Sequence, residues 1–300
     1  DTVVHTFISA LHAAGQRAGQ RFDAALICNA ANAIFAPILR SVGTPVVLNV
    51  DGLERKRKKW NIAGRAYYLL SERLSTLLPN EIVTDAQVIQ DYYLSRYKKA
   101  STMIAYGADV ERKIDQEAIA PWKVSPQEYF LYVSRLEPEN NAHLVIEAFK
   151  KTRTRYKLII VGDAPYAVEY KKRLQDLAAE DERIVLTGFV FGDGYRALQQ
   201  NAYCYIHATE VGGTHPALIE ALGFGNCVLT LETPENIEVV SDAALSYKDK
   251  QELSTLIEEV TRNEELVKHY RQRAVARVRE EYDWDKITDK YEALFRKMLF

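Results

Sequence analysis

The residue pattern with the clearest chemical meaning is V-G-G-T-H-P-A-L-I-E-A-L-G-F-G, which runs from Val211 to Gly225. Its adjacent glycines leave backbone N–H groups uncovered, and Pro216 suits the first turn of a helix, where its missing donor costs nothing. A helix N-terminus with free amides attracts anions, and Glu220, one turn further on, can accept hydrogen bonds from sugar hydroxyls. Phosphate at one end and hydroxyls at the other describe a nucleotide-sugar. An ordinary glycine turn and helix of an α/β sheet explains the same pattern equally well.

A second pattern is a run of cations that ends in an aromatic residue. The run consists of Arg55, Lys56, Arg57, Lys58, Lys59 and Trp60, and it is the one strong charge cluster in a chain of 39 basic and 41 acidic residues. We expect it on a helix just after the Asp51-Gly52 turn. Such a patch suits an anionic membrane surface or a lipid pyrophosphate acceptor. A solvated or ion-paired helix face is the alternative.

The elements that must position these residues alternate between short apolar strands and helices. Strand-like runs lie at 23–29, 45–50, 81–84 and 102–106, and a second series lies at 129–134, 156–162, 183–188, 202–207 and 227–230. Helices are expected between them, for example near 30–41, 54–76 and 86–98, and the pattern after residue 249 is purely helical. Continuous apolar strands separated by helices predict parallel sheets covered on both faces, and hence an α/β fold.

The alternation of strand-like and helix-like segments is interrupted once, by a charged stretch that contains Pro121 and Pro126. We therefore predict an N-terminal domain at 1–109, a linker at 110–127, a second domain at 128–282 and a terminal helix at 283–300 that packs back on the first domain. Asp283 and Asp285 spell the D-x-D pattern of some metal sites. Their position before a helix favours Asp283 as an N-cap instead, so no metal site is predicted.

Composition excludes several classes of protein. A net charge of −2 gives no general attraction to nucleic acid. No apolar run approaches the roughly 18 residues of a membrane span, and no signal peptide is evident. Cys28, Cys204 and Cys227 lie in or beside apolar strands, which favours free thiols in a reducing compartment. We expect a soluble, cytoplasmic protein.

Several short motifs follow one another in a familiar order. They are S-R-L-E-P-E-N-N at 134–141, V-G-D-A-P-Y at 161–166, T-G-F-V at 187–190 and Y-x-W at 282–284. With the glycine segment, they resemble the GT-B fold of the retaining family 4 glycosyltransferases, two Rossmann-like domains that face a cleft. In the first domain, N-A-A-N-A at 29–33, N-V-D-G-L-E-R-K-R-K-K-W at 49–60 and Y-G-A-D at 106–109 resemble a branch that includes bacterial rhamnosyltransferases of capsule and exopolysaccharide synthesis.

The resemblance implies a metal-independent reaction in which a sugar leaves a nucleoside diphosphate. Negative charge on the leaving phosphate requires fixed donors and cations, and Arg135, at a strand end, would hold the diphosphate bidentately. Asp51 would bind acceptor or sugar hydroxyls, although turn capping is its alternative role. The implied donor-binding residues are Gly188, Phe189 and Val190 at the base, Gly212, Gly213 and Thr214 at the phosphate, Glu220 at the ribose, and Asn140. For Arg135, the alternative is a surface ion pair with Glu137 or Glu139.

Three positions depart from the family pattern. Asn140 and Asn141 stand where many relatives carry a lysine, Gly212 stands where the first of two paired glutamates is expected, and Asp51 replaces a frequent histidine. These substitutions suggest a sugar with different hydroxyl contacts, such as a deoxyhexose. Relatives also begin with a strand and a glycine-rich turn, whereas this sequence starts directly in a helix-like pattern. We therefore expect the first domain to be incomplete and the chain to bind donor nucleotide weakly but to transfer no sugar.

The function expected from the sequence is retaining transfer of a hexose or deoxyhexose, such as rhamnose, in surface polysaccharide synthesis. The donor is a nucleoside-diphosphate sugar, no cofactor is required, and the acceptor is a carbohydrate or a polyprenyl-pyrophosphate-linked saccharide. The link to envelope assembly favours the membrane interpretation of the basic run, at the inner face of the cell membrane. A non-catalytic nucleotide-sugar-binding subunit and a sugar-nucleotide epimerase of the same fold are the alternatives.

Overall fold

The computed structural model describes residues 2–17, 19–58, 60–110 and 116–299 of the chain. The chain forms two compact units. The first comprises residues 1–106, 211–214 and 285–300, and the second comprises residues 107–210 and 215–284. Each unit contains its own parallel sheet.

The first unit is a sheet of four parallel strands in the order β1-β2-β3-β4. Its strands are β1 (Ala25–Cys28), β2 (Val46–Asn49), β3 (Glu81–Thr84) and β4 (Thr102–Met103), and its helices are α1 (Thr2–Ala14), α2 (Ala36–Arg40), α3 (Ile62–Ser75) and α4 (Gln87–Tyr97). Every residue of β2 is buried, as expected for a parallel strand covered on both faces. The register pairs Ala25 with Val46 and Val47 with Glu81, which places the ends of β1, β2 and β3 along one edge.

The second unit contains a six-stranded parallel sheet in the order β10-β9-β8-β5-β6-β7. Its strands are β5 (Tyr129–Val133), β6 (Lys157–Val161), β7 (Ile184–Gly188), β8 (Cys204–His207), β9 (Cys227–Leu231) and β10 (Leu245–Tyr247). Its helices are α5 (Ala142–Phe149), α6 (Val168–Ala179), α7 (Gly192–Asn201), α8 (Pro216–Gly223), α9 (Pro234–Val240), α10 (Lys250–Arg262) and α11 (Glu264–Arg277). The strand order reverses between β5 and β8, which pair directly. A crevice forms at the carboxyl ends of strands where the order of an open sheet reverses.

Buried tyrosines hold the second sheet to the segments around it. The hydroxyl of Tyr132 on β5 donates to the carbonyl of Asn140 (2.5 Å), and Tyr247 on β10 donates to the carbonyl of His207 (2.9 Å). Tyr203 likewise donates to the carbonyl of Val260 on α10 (2.6 Å). Each ring therefore contributes apolar burial while its hydroxyl satisfies a backbone acceptor.

The expected elements are largely present, with differences in extent. The helix expected over 54–76 is divided into a single 3₁₀ turn at Glu54–Lys56 and α3, because the chain between them turns before Asn61 caps α3 through its side chain. A terminal helix, α12 (Trp284–Leu299), follows a π-helical turn at Val278–Tyr282. Within the described ranges, no helix is both long and apolar enough to cross a membrane.

The last residue of α8 is a glycine because another backbone passes close to it. A Cβ at Gly223 would lie 2.4 Å from the carbonyl oxygen of Asp109, well inside van der Waals contact. An alanine inside a helix normally stabilises it by about 0.5–1 kcal/mol relative to glycine. At position 223 the clash with the Asp109 carbonyl oxygen makes alanine destabilising instead.

We therefore predict that Gly223→Ala lowers the free energy of unfolding by about 1–3 kcal/mol, the usual cost of overpacking. Urea denaturation followed by circular dichroism measures the change. Gly64→Ala in the first turn of α3 is the control, because its Cβ would meet side-chain atoms, of Trp60 at 3.0 Å and of Asn61 at 3.4 Å, and no backbone atom of another segment lies as close. A stabilising effect of Gly223→Ala would contradict the close approach.

Candidate functional site

Arg135 lies two residues beyond β5, at the point where the strand order of the second sheet reverses. Its guanidinium is half exposed, and the nearest carboxylate oxygen, on the buried Glu137, is 3.8 Å from Nη2. That distance allows an electrostatic attraction but no hydrogen bond. The ion pair that the sequence offered as an alternative role therefore exists with Glu137, yet it leaves the fork of the guanidinium accessible to an anion.

The turn after Arg135 is fixed by two asparagines. Asn140 donates from its side chain to the carbonyl of Arg135 (2.7 Å), and Asn141 donates to the carbonyl of Ala208 after β8 (3.0 Å). Asn141 adopts a left-handed conformation (φ 57°), which asparagine tolerates better than most residues. Asn140, expected to contact the donor, therefore uses its side-chain amide to hold the loop that carries Arg135.

Glu220 lies on the second turn of α8, which begins at Pro216 as the sequence predicted. Its carboxylate accepts a short hydrogen bond from the hydroxyl of Tyr195 on α7. Gln199, one turn further along α7, donates to the same hydroxyl (3.1 Å). Burial, reinforced by the charge of Glu220, raises the pKa of Tyr195, so this hydroxyl keeps its proton and remains a donor. The Glu220 carboxylate is thereby oriented.

Two exposed aromatic rings follow β7. Phe189 and Phe191 stack with their centroids 5.6 Å apart and their planes 22° from parallel. Gly188, which precedes them, adopts a positive φ of 73° that favours glycine. Phe189 was expected near a nucleotide base, but Phe191 was not singled out, although alternate aromatic residues in F-V-F were a visible signal.

The glycine loop at 211–214 groups with the first unit, whereas α8 belongs to the second. The amide of Thr214 donates to the carboxylate of Asp85, directly after β3 (3.0 Å), and a Cβ at Gly213 would lie only 2.2 Å from the same carboxylate. A Cβ at Gly52 would lie 2.4 Å from the carbonyl carbon of Gly212. These glycines thus allow a close backbone approach, and the Thr214 amide expected to bind phosphate meets a carboxylate that the sequence did not reveal.

Asp51 lies two residues after β2 in a left-handed conformation (φ 52°). Its amide donates to the side chain of Asn49 (3.1 Å), and its carboxylate accepts from the hydroxyl of Tyr106 (2.9 Å). Burial raises the pKa of Asp51, and the hydrogen bond from Tyr106 opposes that shift only in part. A half-buried carboxyl of raised pKa can exchange a proton with a bound hydroxyl nearer to neutral pH than an exposed aspartate.

The basic run does not form the single charged surface that the sequence predicted. Arg55 pairs with the buried Glu72 (2.9 Å), and the buried Arg57 pairs with Glu54 (2.7 Å). Lys56 and Lys58 are exposed, Trp60 packs on the ring of Tyr68, and Lys59 lies outside the described residues. The run precedes α3, which begins at Ile62, and among its described residues the helical turn ends at Lys56.

Two units, each built on a parallel sheet, are typical of the GT-B class of fold. The structure superposes on HepE from Anabaena in complex with UDP and glucose with a TM-score of 0.80 at 16% identity, over 98% of this chain and 81% of that chain. Sucrose-phosphate synthase from Thermosynechococcus elongatus gives a TM-score of 0.78 at 15% identity, over 92% of this chain and 74% of that chain.

The chain belongs to the glycosyl transferases group 1 family, which its sequence matches over residues 115–277. Residues 24–109 match a domain of unknown function, DUF1972. Alpha-monoglucosyldiacylglycerol synthase from Streptococcus pneumoniae is 24% identical over 64% of this chain and 46% of its own length. O-antigen chain mannosyltransferase C from Escherichia coli is 23% identical over 85% of this chain and 69% of its own length. These relatives are named for glucose and mannose, so they do not single out the rhamnosyltransferase branch.

The raised pKa of Asp51 makes a prediction about stability. Because the folded chain binds this proton more tightly than the unfolded chain, the free energy of unfolding falls as pH rises from about 4 through the raised pKa. Asp51→Asn removes the titration and keeps an acceptor for Tyr106. The variant should therefore gain stability relative to the wild type as pH rises, up to a plateau.

Urea denaturation between about pH 4 and pH 8 measures this difference. Asp23→Asn, which changes an exposed carboxyl of the same unit, is the control. A difference between Asp51→Asn and the wild type that does not vary with pH would show that Asp51 is charged throughout the range.

Proposed function

We propose that the chain acts as a glycosyltransferase that moves a hexose or deoxyhexose from a nucleoside-diphosphate sugar to a carbohydrate or lipid-linked acceptor. The observation that carries the proposal is the accessible guanidinium of Arg135 at the strand-order reversal of the second sheet. Ligands of open α/β sheets bind at such a reversal, and Arg135 presents the bidentate donors that a diphosphate requires. Membership of the glycosyl transferases group 1 family supports the same class of ligand.

The other donor contacts are proposed on the second unit. The stacked rings of Phe189 and Phe191 offer an aromatic surface to a nucleotide base, and Glu220 accepts hydrogen bonds from the ribose hydroxyls. Tyr195 orients Glu220 for this role. The complexes of HepE with UDP and with UDP-glucose make uracil the first base to test.

The proposed reaction needs no metal and retains the configuration of the sugar. Negative charge that develops on the leaving diphosphate is stabilised by the guanidinium of Arg135. The leaving phosphate takes the proton of the acceptor hydroxyl, and the new bond forms on the face that the diphosphate leaves. No side chain is required as a covalent nucleophile.

The acceptor is proposed to meet the Asp51 cluster of the first unit. The carboxyl group of Asp51 is held by Tyr106 (2.9 Å), and in its ionised form it can accept a further hydrogen bond from an acceptor hydroxyl. The names of the two relatives refer to a diacylglycerol and to the O-antigen chain, which supports a lipid-linked or carbohydrate acceptor in surface polysaccharide synthesis. The departures at Asn140, Asn141 and Gly212 favour a deoxyhexose such as rhamnose.

Incubation with labelled nucleoside-diphosphate sugars, with and without saccharide acceptors, tests this function. We expect nucleoside diphosphate to be released with the label transferred to the acceptor, and only when the acceptor is present. Isomerised donor in the absence of acceptor would indicate an epimerase. Tight donor binding without turnover on any acceptor would indicate a binding subunit.

We predict that Arg135→Ala weakens UDP binding by about tenfold or more, because a hydrogen bond to a charged group contributes about 1.5–3 kcal/mol. Uridine, which has no phosphate, should bind the variant as it binds the wild type. Isothermal titration calorimetry measures both affinities. Arg173→Ala is the control, since Arg173 and Arg135 both have side chains that are 52% exposed. Equal losses for uridine and UDP would exclude the phosphate role.

A further inference from the structure

Helix α3 presents several apolar side chains outward, although its Leu74 packs against the core of the first unit. Ile62 and Leu70 are 88% and 56% exposed, and Leu69 and Ala66 are also exposed. Residues three and four apart share one face of a helix, so these positions form a continuous apolar stripe. The opposite face carries polar residues, and it is this face that is buried: Ser71, Glu72 and Ser75.

Satisfied hydrogen bonds explain why the polar face of α3 can be buried. Glu72 accepts from the hydroxyls of Tyr92 (2.7 Å) and Tyr97 (3.0 Å) on α4, and it pairs with Arg55 (2.9 Å). At the N-terminal end of α3, Tyr67 donates from its hydroxyl to the carbonyl of Ala31 (2.9 Å). A rotation of α3 that buried Leu69 and Leu70 would break these hydrogen bonds and the Arg55–Glu72 ion pair. Exposure of the apolar stripe is therefore built into the fold of the first unit.

The charge around this stripe is strongly positive. Residues 55–80 contain seven lysines and arginines and a single acidic residue, Glu72. Two of these cations are paired, Arg55 with the buried Glu72 (2.9 Å) and the buried Arg57 with Glu54 (2.7 Å). Arg65 and Arg73 lie on the exposed side of α3 beside the leucines, and exposed Lys56 lines a groove with Arg65 and Leu69.

We propose that the exposed face of α3 is a docking surface for an anionic lipid bilayer. Ile62, Leu69 and Leu70 would insert at the boundary between headgroups and acyl chains, and Arg65 and Arg73 would extend their heads to the lipid phosphates. Complementary charge identifies the occupant, because the exposed cations Lys56, Arg65 and Arg73 lie beside an exposed apolar stripe in a chain whose net charge is −2. The surface requires neither nucleotide nor acceptor, so it stands apart from the proposed transfer reaction.

This surface differs from the basic run that the sequence offered for membrane contact. Arg55 and Arg57 of that run pair with Glu72 and Glu54. The apolar component of the surface lies on α3, after the run, and the two arginines beside it come from α3 itself. A soluble polyanion would be attracted by the positive charge alone, whereas an anionic bilayer also takes up the apolar side chains. The combination of both features on α3 therefore favours a bilayer.

Sedimentation of the chain with vesicles tests the proposal, with pure phosphatidylcholine compared against phosphatidylcholine containing about a third phosphatidylglycerol. We expect binding to the anionic vesicles only, and weakening by salt because the charges are exposed. The double variant Leu69→Ser with Leu70→Ser should lower the partition coefficient about tenfold or more. The double variant Arg65→Gln with Arg73→Gln should do the same, since each cation near an anionic surface contributes about fivefold.

Controls carry the same chemical changes at exposed positions elsewhere. Leu94→Ser alters an exposed leucine of α4, and Arg262→Gln with Lys268→Gln removes two exposed cations of the second unit. These variants should bind as the wild type does, and unchanged unfolding curves should show that every variant folds.

Three results would overturn the proposal. One is equal vesicle binding by the Leu69/Leu70 double variant and the wild type. Another is binding that neutral vesicles support equally well. The third is self-association of the wild type without vesicle binding, measured by sedimentation velocity and abolished by the leucine substitutions, which would make the stripe a protein–protein interface.

Discussion

The geometry of the second unit depends on its parallel sheet, whose strand order reverses between β5 and β8. The reversal places the chain after β5 beside the chain after β8, and the turn that carries Arg135 is tied to the β8 side by Asn141. The hydroxyl of Tyr132 holds the same turn through its hydrogen bond to the carbonyl of Asn140. The exposed cation is thus held by buried, satisfied polar groups, which is how a ligand site keeps its geometry before a ligand arrives.

In the first unit, the residue that constrains the packing is the buried Glu72. Glu72 would be costly to bury alone, but two tyrosine hydroxyls and Arg55 satisfy it. That arrangement decides which face of α3 points inward, and it leaves Leu69 and Leu70 exposed to solvent. A buried ion pair rarely adds much net stability, so its consequence here is orientation of the helix and of the surface that the helix presents.

Long-range partners are what the sequence could not supply. Asp85 meets Thr214 across 129 residues, and Tyr106 meets Asp51 across 55. Asp85 does not stand out in sequence, because an isolated aspartate after a strand has no distinctive spacing, and the Y-G-A-D motif that begins at Tyr106 does not indicate that its tyrosine contacts Asp51. Tyr195 escaped notice for the same reason, although it lies only 25 residues before Glu220.

The sequence by itself determined the α/β class, the succession of strands and the strand-end position of Arg135, because hydrophobic periodicity and short motifs are local properties of the chain. It also placed α8 correctly from Pro216 and the apolar residues that follow. Only the tertiary structure decided which side chains meet and which face of a helix is buried. For α3 the usual amphipathic rule would turn the exposed Leu69 and Leu70 inward. The rule fails there because the partners of Glu72 come from elsewhere in the chain, and contacts between distant segments outweigh a local preference.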